Sequence, residues 1–315
     1  MELQTTSSQN NGVLVSFYIY DGYSLRNTLG IIKAETETAS MILSKDAIEI
    51  SFNNRQKTTL HSIRLNTTEF TTYEYNIVDP ETGMLMKEYP IAFDTKELFN
   101  TTKGIGRRDG IRMYLLQGNS KLNIQQIKAG AKDPGKSGAL FVNILTAEHR
   151  RFDSPEGYVQ EPNIKVQAKE FADLCGQLSG LKCSSLQIIG RTSGVTFKGI
   201  RPNKTFGSIT HFSNNKPQHN NMGNNHQHAN TDFLNGILGT VQNTTTEKRS
   251  NVQLQVHHED EIISVELPSS TAKALSKIHN ISPSGTLLQF TFVKGKPIKI
   301  LSPIGIYGTY TLYIR

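Results

Sequence analysis

Apolar residues along the chain change from helical to strand spacing, and this change occurs twice. In the first copy, residues 24–34 carry Leu25 and Leu29 on one helical face. Two segments of apolar–polar alternation follow, over residues 40–44 and 47–52, as expected for half-buried strands. The pattern predicts a helix that packs on a pair of antiparallel strands.

The second copy repeats this order, with a helix over residues 169–182 and strands over 185–189 and 194–198. The distance from the start of the helical pattern to the second strand is 23 residues in the first copy and 24 in the second. Each copy continues with a strand, a short helix and a hairpin whose turn carries a glycine, Gly118 or Gly295. The repetition predicts an α+β fold of two duplicated domains, with mainly antiparallel sheets and the helices on one face.

The changes in pattern also predict the domain boundaries. Residues 147–163 contain prolines and charges without a regular period, and we interpret them as an interdomain connecting loop. This interpretation gives an N-terminal domain over residues 13–146 and a C-terminal domain over residues 164–315. Residues 213–249, rich in His and Asn, are too polar to form a core, and we expect a surface insertion there.

Composition narrows the class of protein. The formal net charge of +7 favours a polyanionic partner. No apolar run approaches the roughly 20 residues that a bilayer span requires, and the polar first residues do not resemble a signal peptide. The two cysteines, Cys175 and Cys183, indicate buried thiols rather than a disulfide framework. We therefore expect an intracellular protein with no membrane partner.

The candidate catalytic and metal-binding motifs are weak. Residues 103–107 contain glycines without the dinucleotide-binding spacing, and they follow a predicted helix, whereas a phosphate-binding loop precedes one. The acidic and histidine-containing run at residues 257–261 falls in a predicted hairpin turn, where such residues are normally solvated. We expect no enzymatic activity, no bound metal and no cofactor.

The order and spacing of these segments resemble the PCNA-type (proliferating cell nuclear antigen) DNA sliding clamps. Residues 170–199 are similar to the start of that family's second domain, in which a helix opens with Glu-Phe and a strand follows. Residues 96–115 are similar to its leucine–lysine helix and the turn after it, and residues 297–315 to its final hairpin. The divergence and the insertion point to a large DNA virus or a divergent eukaryote as the source.

The resemblance implies a non-enzymatic ring of three head-to-tail subunits around double-stranded DNA. Such a ring acts as a polymerase processivity factor and as a docking platform for replication and repair proteins. It requires a clamp loader, and it is located in the nucleus or a viral replication compartment. Strands near residues 138–145 and 205–212 would pair between subunits. The implied subunit-interface residues are Ala139, Phe141, Val142, Ile144, Phe206, Ile209 and His211.

A sliding ring needs cations that contact phosphates without reading bases. Pairs of basic residues recur at helical spacing in three of the predicted helices, although lysines on an amphipathic helix are also often simply solvated. The third predicted helix departs from the family pattern, because its polar face offers Asp173 and Gln177. The predicted DNA-binding residues are Arg26, Lys33, Lys96, Lys103, Arg107, Arg108, Lys273 and Lys277.

The resemblance also implies a pocket for client peptides beneath the connecting loop. The predicted pocket residues are Thr58, Leu60, Phe152, Pro155, Pro297 and Tyr313. Phe152 is notable because a large aromatic side chain in a polar loop needs an apolar contact. Asn53 departs from the family, which commonly has an apolar residue at that position.

Two alternatives from the same residues stay open. One is a monomeric clamp-fold processivity factor that binds DNA on one basic face without encircling it. The other is a structural viral protein of duplicated β-rich fold. The strands that would pair between subunits distinguish the ring from the monomer, which does not need them.

Overall fold

A computed structural model gives the fold of most of the chain. It describes residues 12–130, 138–145, 152–158, 162–191, 194–201, 209–213 and 261–315. The predicted insertion over residues 213–249 lies outside the described residues, apart from Ser213.

The first half of the chain contains nine described strands and two α-helices, α1 (Gly22–Glu35) and α2 (Thr95–Thr102). Its strands are β1 (Val13–Ile19), β2 (Thr38–Ser44), β3 (Ala47–Asn53), β4 (Thr59–Asn66), β5 (Thr72–Tyr75), β6 (Glu88–Asp94), β7 (Gly110–Leu116), β8 (Lys121–Ile127) and β9 (Leu140–Leu145). A single 3-10 turn, Thr67–Glu69, follows β4.

The second half repeats this order, with the helices α3 (Ala168–Gly180) and α4 (Ser269–Leu275). Its described strands are β10 (Ile164–Gln167), β11 (Ser185–Arg191), β12 (Gly194–Ile200), β13 (Ile209–Ser213), β14 (Glu261–Pro268), β15 (Leu287–Thr291), β16 (Ile298–Ile304) and β17 (Gly308–Ile314). A 3-10 turn, Ile278–Asn280, follows α4. The fold is therefore the α+β duplication that the sequence predicts.

Local capping fixes the start of both helices in the first half. The carboxylate of Asp21 accepts a hydrogen bond of 3.1 Å from the backbone N–H of Ser24, and Asp94 accepts one of 2.7 Å from Glu97. An aspartate at this position satisfies an N–H group that the first turn leaves without a helical partner. The predicted third helix ends at Gly180 rather than at residue 182, and Lys182 has a left-handed φ of 56°.

One sheet runs through both halves. Thirteen strands pair in the order β10-β15-β16-β17-β4-β3-β2-β6-β9-β8-β7-β1-β5, and four more form the order β13-β12-β11-β14. The halves join where β17 pairs antiparallel with β4, from Gly308 opposite Leu65 to Ile314 opposite Thr59. All pairings between these strands are antiparallel, as predicted.

The four α-helices of the described residues form a row. Helix α1 packs between α2 and α4, and α3 packs on the other side of α4. Gly30 allows the close approach of α1 and α2, since a Cβ atom there would lie 3.1 Å from the Phe99 ring. Both hairpin glycines have the predicted positive φ, 73° at Gly118 and 75° at Gly295.

Candidate functional surfaces

The helix row presents two exposed lysines at α2 and two at α4. Lys96 on α2, Lys103 just after α2, Lys273 on α4 and Lys277 just after α4 are all exposed. Helix α3 exposes Asp173 and Gln177 along its length, and its exposed lysine, Lys169, lies in its first turn. The positive charge of the row is therefore uneven, as the sequence predicts.

The two cations of α1 are half-buried against neighbouring groups. The guanidinium of Arg26 donates a hydrogen bond of 3.0 Å to the carbonyl of Ile105 and lies 5.3 Å from the centre of the Tyr23 ring. The ammonium of Lys33 lies 4.5 Å from the centre of the Phe99 ring. Both groups help to hold α1 against the end of α2, so they are less available to a ligand than the exposed lysines.

Arg107 and Arg108 are neighbours in sequence but have different surroundings. The guanidinium of Arg107 lies 5.8 Å from the Tyr23 ring, beside the helix row. Arg108 instead lines a cavity together with Tyr18 of β1 and Tyr20, the residue that follows β1. The structure therefore does not place the two arginines in one group.

Asp109 fixes the turn that carries these arginines. Its Oδ2 atom accepts hydrogen bonds from the N–H of Gly106 (2.8 Å), the amide of Gln126 (2.6 Å) and the ammonium of Lys128 (2.9 Å). Local desolvation opposes ionisation of the carboxyl group, but the Lys128 contact and the other hydrogen bonds outweigh it and lower the pKa of Asp109 to about 2. Asp109 therefore stays ionised and holds the turn at neutral pH.

Four of the predicted pocket residues lie together where β4, β17 and the start of β16 meet. Leu60 and Tyr313 are direct cross-strand partners, and both side chains are buried. Thr58 is half-buried, and its carbonyl accepts a hydrogen bond of 3.0 Å from the N–H of Arg315. Pro297 directly precedes β16.

Tyr158 of the connecting loop completes this group, although it is not among the predicted pocket residues. Its ring packs on Tyr313, with 5.6 Å between the ring centres, and its hydroxyl donates a hydrogen bond of 2.5 Å to the carbonyl of Pro297. Burial, followed by the neighbouring Tyr313, raises the pKa of Tyr158 to about 12. An aromatic residue in a polar loop is the signal that singled out Phe152, and it applies equally to Tyr158.

Phe152 does not join this group. It lines a separate groove of about 610 Å³ with residues of β2 and β3, including Asn53. Its backbone N–H donates a hydrogen bond of 3.2 Å to the Ser51 hydroxyl. Pro155, between Phe152 and Tyr158, is half-buried. The predicted single pocket is therefore divided between two places on the sheet.

Of the two strands predicted to pair between subunits, β13 lies at an edge of the four-stranded sheet. β9 lies between β6 and β8, and along part of one side it has no partner among the described strands. β9 pairs with β8 along Leu140–Asn143, and on its other side it pairs with β6 only at Ile144 and Leu145. Phe141 is 48% exposed and Leu140 is 58% exposed. Ala139 is also exposed.

Two of the predicted interface residues, Val142 and Phe206, do not belong to this exposed set. The Val142 side chain is fully buried in the core, so a contact of this residue with another subunit would involve its backbone, and its place in the interface stays a prediction. Phe206 lies outside the described residues. Ile209 and His211 belong to β13, which among the described strands pairs only with β12.

A buried polar cluster joins the two halves beneath the β4–β17 pairing. Glu35 of α1 accepts a hydrogen bond of 2.9 Å from the hydroxyl of Thr271 of α4. His61 contacts the Tyr310 hydroxyl at 2.7 Å and the Thr59 hydroxyl at 3.0 Å. Burial lowers the pKa of His61 to about 3 and raises the pKa of Glu35, despite opposing effects of Thr271 and Arg55. The side chains of His61 and Glu35 lie 3.8 Å apart, and they therefore do not form an ion pair at neutral pH.

No three His, Cys, Asp or Glu side chains in the described part of the chain form a group that could hold a metal ion. No helix within the described ranges has the length and apolar character needed to cross a bilayer.

The described architecture, with its two similar halves and row of four helices, is that of a sliding-clamp fold. Among solved structures, the PCNA2–PCNA3 complex from Sulfolobus tokodaii is similar, with a TM-score of 0.63 at 12% identity over 95% of this chain and 98% of that chain. The proliferating cellular nuclear antigen from Entamoeba histolytica has a TM-score of 0.65 at 10% identity, over 96% and 98% respectively. The chain therefore has the PCNA-type fold over nearly its whole length.

Comparison of sequences alone does not find this similarity. No protein-family profile matches the chain, and no curated protein matches its sequence significantly. The likeness therefore concerns the fold, and the function has to be argued from this chain's own surfaces.

Proposed function

We propose that this protein is a ring-forming DNA sliding clamp that serves as a polymerase processivity factor and a docking platform. The observation that carries the proposal is the way in which β17 joins the two halves. β17 is the last strand of the second half, and it pairs with β4, the fourth strand of the first half.

The duplication leaves an equivalent pair of strands for a neighbouring subunit. β9 is the last strand of the first half, and β13 is the fourth strand of the second half. If β9 of one subunit pairs with β13 of the next, the contact within the chain is repeated between chains. Repetition of one head-to-tail contact closes a ring when the rotation is right, and it also covers exposed strand edges.

Three subunits would supply six similar domains, the number that the family resemblance implies. The exposed Leu140 and Phe141 of β9 fit a contact that is covered in the assembly. The Sulfolobus tokodaii structure is itself a complex between two PCNA chains. That complex shows that two chains of this fold associate with each other. The association of this chain with copies of itself is our proposal.

The helix row would face DNA in such a ring. Lys96, Lys103, Lys273 and Lys277 offer exposed ammonium groups, which bind phosphate without reading base sequence. We assign no catalytic residue to the chain. A clamp loader would open the ring, and clients with an aromatic and aliphatic motif would dock near the connecting loop. A nuclear or viral replication compartment fits this role.

The mass of the protein in solution tests the ring. We expect light scattering to give about three times the chain mass of 35.1 kDa, with no change on dilution. Phe141→Asp should lower the mass towards a single chain, because it places a charge within the apolar contact.

Ile306→Asp is the matched control, since Ile306 is 80% exposed in the turn between β16 and β17 and belongs to neither β9 nor β13. It should retain the mass of the unmodified protein. A single-chain mass for the unmodified protein at every concentration would contradict the ring and favour the non-encircling alternative.

A further inference from the structure

A cavity of about 500 Å³ lies on the outer side of the first-half sheet, over strands β5, β1, β7 and β8. It opens beside the turn that follows α2. None of the strands proposed to pair between subunits lines it. Its principal lining side chains are Tyr18, Tyr20, Arg108, Arg112, Gln125 and Lys128.

Two tyrosines give the cavity an aromatic wall. The Tyr18 ring lies directly on the backbone of Gly110, where an added Cβ atom would be only 2.5 Å from the ring. Tyr20 is 68% exposed, so its ring is accessible to a ligand. The arrangement offers one fixed ring and one accessible ring to a flat ligand.

Basic groups surround these rings. Arg108 and Arg112 are both exposed, and Arg112 is oriented by a hydrogen bond of 3.2 Å from its Nε atom to the Ser16 hydroxyl. Lys128 is also present, although its charge is balanced by Asp109 at 2.9 Å. Glu74 is the one carboxylate among the described lining residues. The cavity therefore favours an anion through its two arginines.

We propose that this cavity binds single-stranded DNA, with one base against Tyr20 and Tyr18 and the adjoining phosphates at Arg108 and Arg112. Stacking of unpaired bases on aromatic rings, combined with phosphate contacts from cations, is the physical basis of single-strand binding. A base paired in a duplex is covered by its neighbours and cannot enter. The proposal rests on the proposed function only in its choice of DNA as the ligand.

The position of the cavity supports this choice. The turn after α2 directs Arg107 towards the helix row and Arg108 into the cavity. A strand that leaves a duplex beside the helix row would reach the cavity by crossing this one turn. Single-stranded template next to a primer end is the form of DNA that this path would accept.

Fluorescence anisotropy with a labelled twelve-residue oligothymidylate tests the proposal on the full-length protein. We expect Tyr20→Ala to weaken binding by about tenfold, because it removes a stacking surface. Arg108→Ala should lower the slope of log affinity against log salt concentration by about 0.7, the value for one lost phosphate contact on a single strand.

Two control variants test whether a loss of oligonucleotide binding is specific to the cavity. Ile306→Ala removes another exposed apolar side chain, and Arg55→Ala removes an exposed arginine on a different surface. Both should bind the oligonucleotide as the unmodified protein does. An abasic oligonucleotide of the same length should bind about as weakly to the unmodified protein as the thymidylate does to Tyr20→Ala.

Unchanged affinity in both Tyr20→Ala and Arg108→Ala would overturn the proposal, as would equal binding of the abasic oligonucleotide. Binding of an acidic peptide at this cavity in place of the oligonucleotide would also overturn it. Phe141→Asp separates this proposal from the ring: it should lose the trimer mass and keep the affinity for the single strand.

Discussion

At the scale of single residues, the cluster around His61 shows how burial controls charge. His61 is fully buried, and its two ring nitrogens contact the hydroxyls of Thr59 and Tyr310. Protonation would place a cation beside groups that cannot solvate it, so the folded protein keeps the imidazole neutral. The Oε1 atom of Glu35 has no hydrogen-bond partner among the described residues, which also disfavours its ionised form.

The neutral state of His61 predicts a loss of stability in mild acid. The unfolded chain takes up a proton near pH 6.5, whereas the folded protein resists it until about pH 3. The contribution is therefore complete above pH 6.5 and falls as the pH is lowered. Between pH 7 and pH 5 it amounts to about 2 kcal/mol of the free energy of unfolding. Urea denaturation at the two pH values should show a smaller decrease for His61→Gln than for the unmodified protein.

Glu35→Gln provides the control for the sign of this effect. The raised pKa of Glu35 acts in the opposite direction: its contribution is complete below pH 4.5 and is lost as the pH rises through the folded pKa. Removing the carboxyl group should leave the decrease between pH 7 and pH 5 at least as steep as before. Equal decreases in His61→Gln and the unmodified protein would show that His61 does not carry the effect.

At the scale of elements, the described part of the connecting loop is attached to the second half by its final residues. Tyr158 packs on Tyr313, and Lys296 donates a hydrogen bond of 2.5 Å to the carbonyl of Glu156.

We expect Tyr158→Ala to accelerate tryptic cleavage after Arg150 or Arg151 several-fold, measured by gel densitometry. Tyr158→Phe keeps the ring contact and should be cleaved at a rate close to that of the unmodified protein. Equal rates for all three proteins would mean that Tyr158 does not anchor the loop.

The helix row makes a separate prediction about DNA. Lys96→Glu combined with Lys103→Glu should reduce processive primer extension by a loaded clamp, because two phosphate contacts become repulsive. Lys87→Glu is the control, since Lys87 is also exposed but lies in the loop before β6. If the double variant supports extension as well as Lys87→Glu does, these lysines do not face the DNA.

Local patterns were enough to predict the helices and hairpins, because their periodicity and turn glycines depend on neighbouring residues. The surroundings of Arg107 and Arg108 could not be predicted in this way, since they depend on how the turn packs against β1 and α1. The positions of Phe152 and Tyr158 at two different places on the sheet also depend on packing between distant segments. Their neighbours lie about 100 or more residues away along the chain, as in the 101-residue separation of Phe152 and Ser51.

At the scale of the whole molecule, the joined sheet and the polar cluster make the two halves depend on each other. The hydroxyl of Thr271, in the second half, donates a hydrogen bond to Glu35 in the first half.

Thr271→Val should lower the free energy of unfolding by about 1–3 kcal/mol, because it leaves a buried acceptor without its donor. Thr311→Val, on a half-exposed residue of β17, is the control and should change stability by much less. Urea denaturation followed by circular dichroism would measure both, and equal effects would contradict a special role for the junction.

The pairing of β17 with β4 also has a consequence for how the protein is made. During synthesis β4 leaves the ribosome long before Gly308–Ile314, its partner in the junction, has been translated. At about 5–20 residues per second the delay is on the order of tens of seconds. Until then the first half has a strand edge open to other nascent chains, so chaperone occupancy of β4 should end only when translation reaches β17.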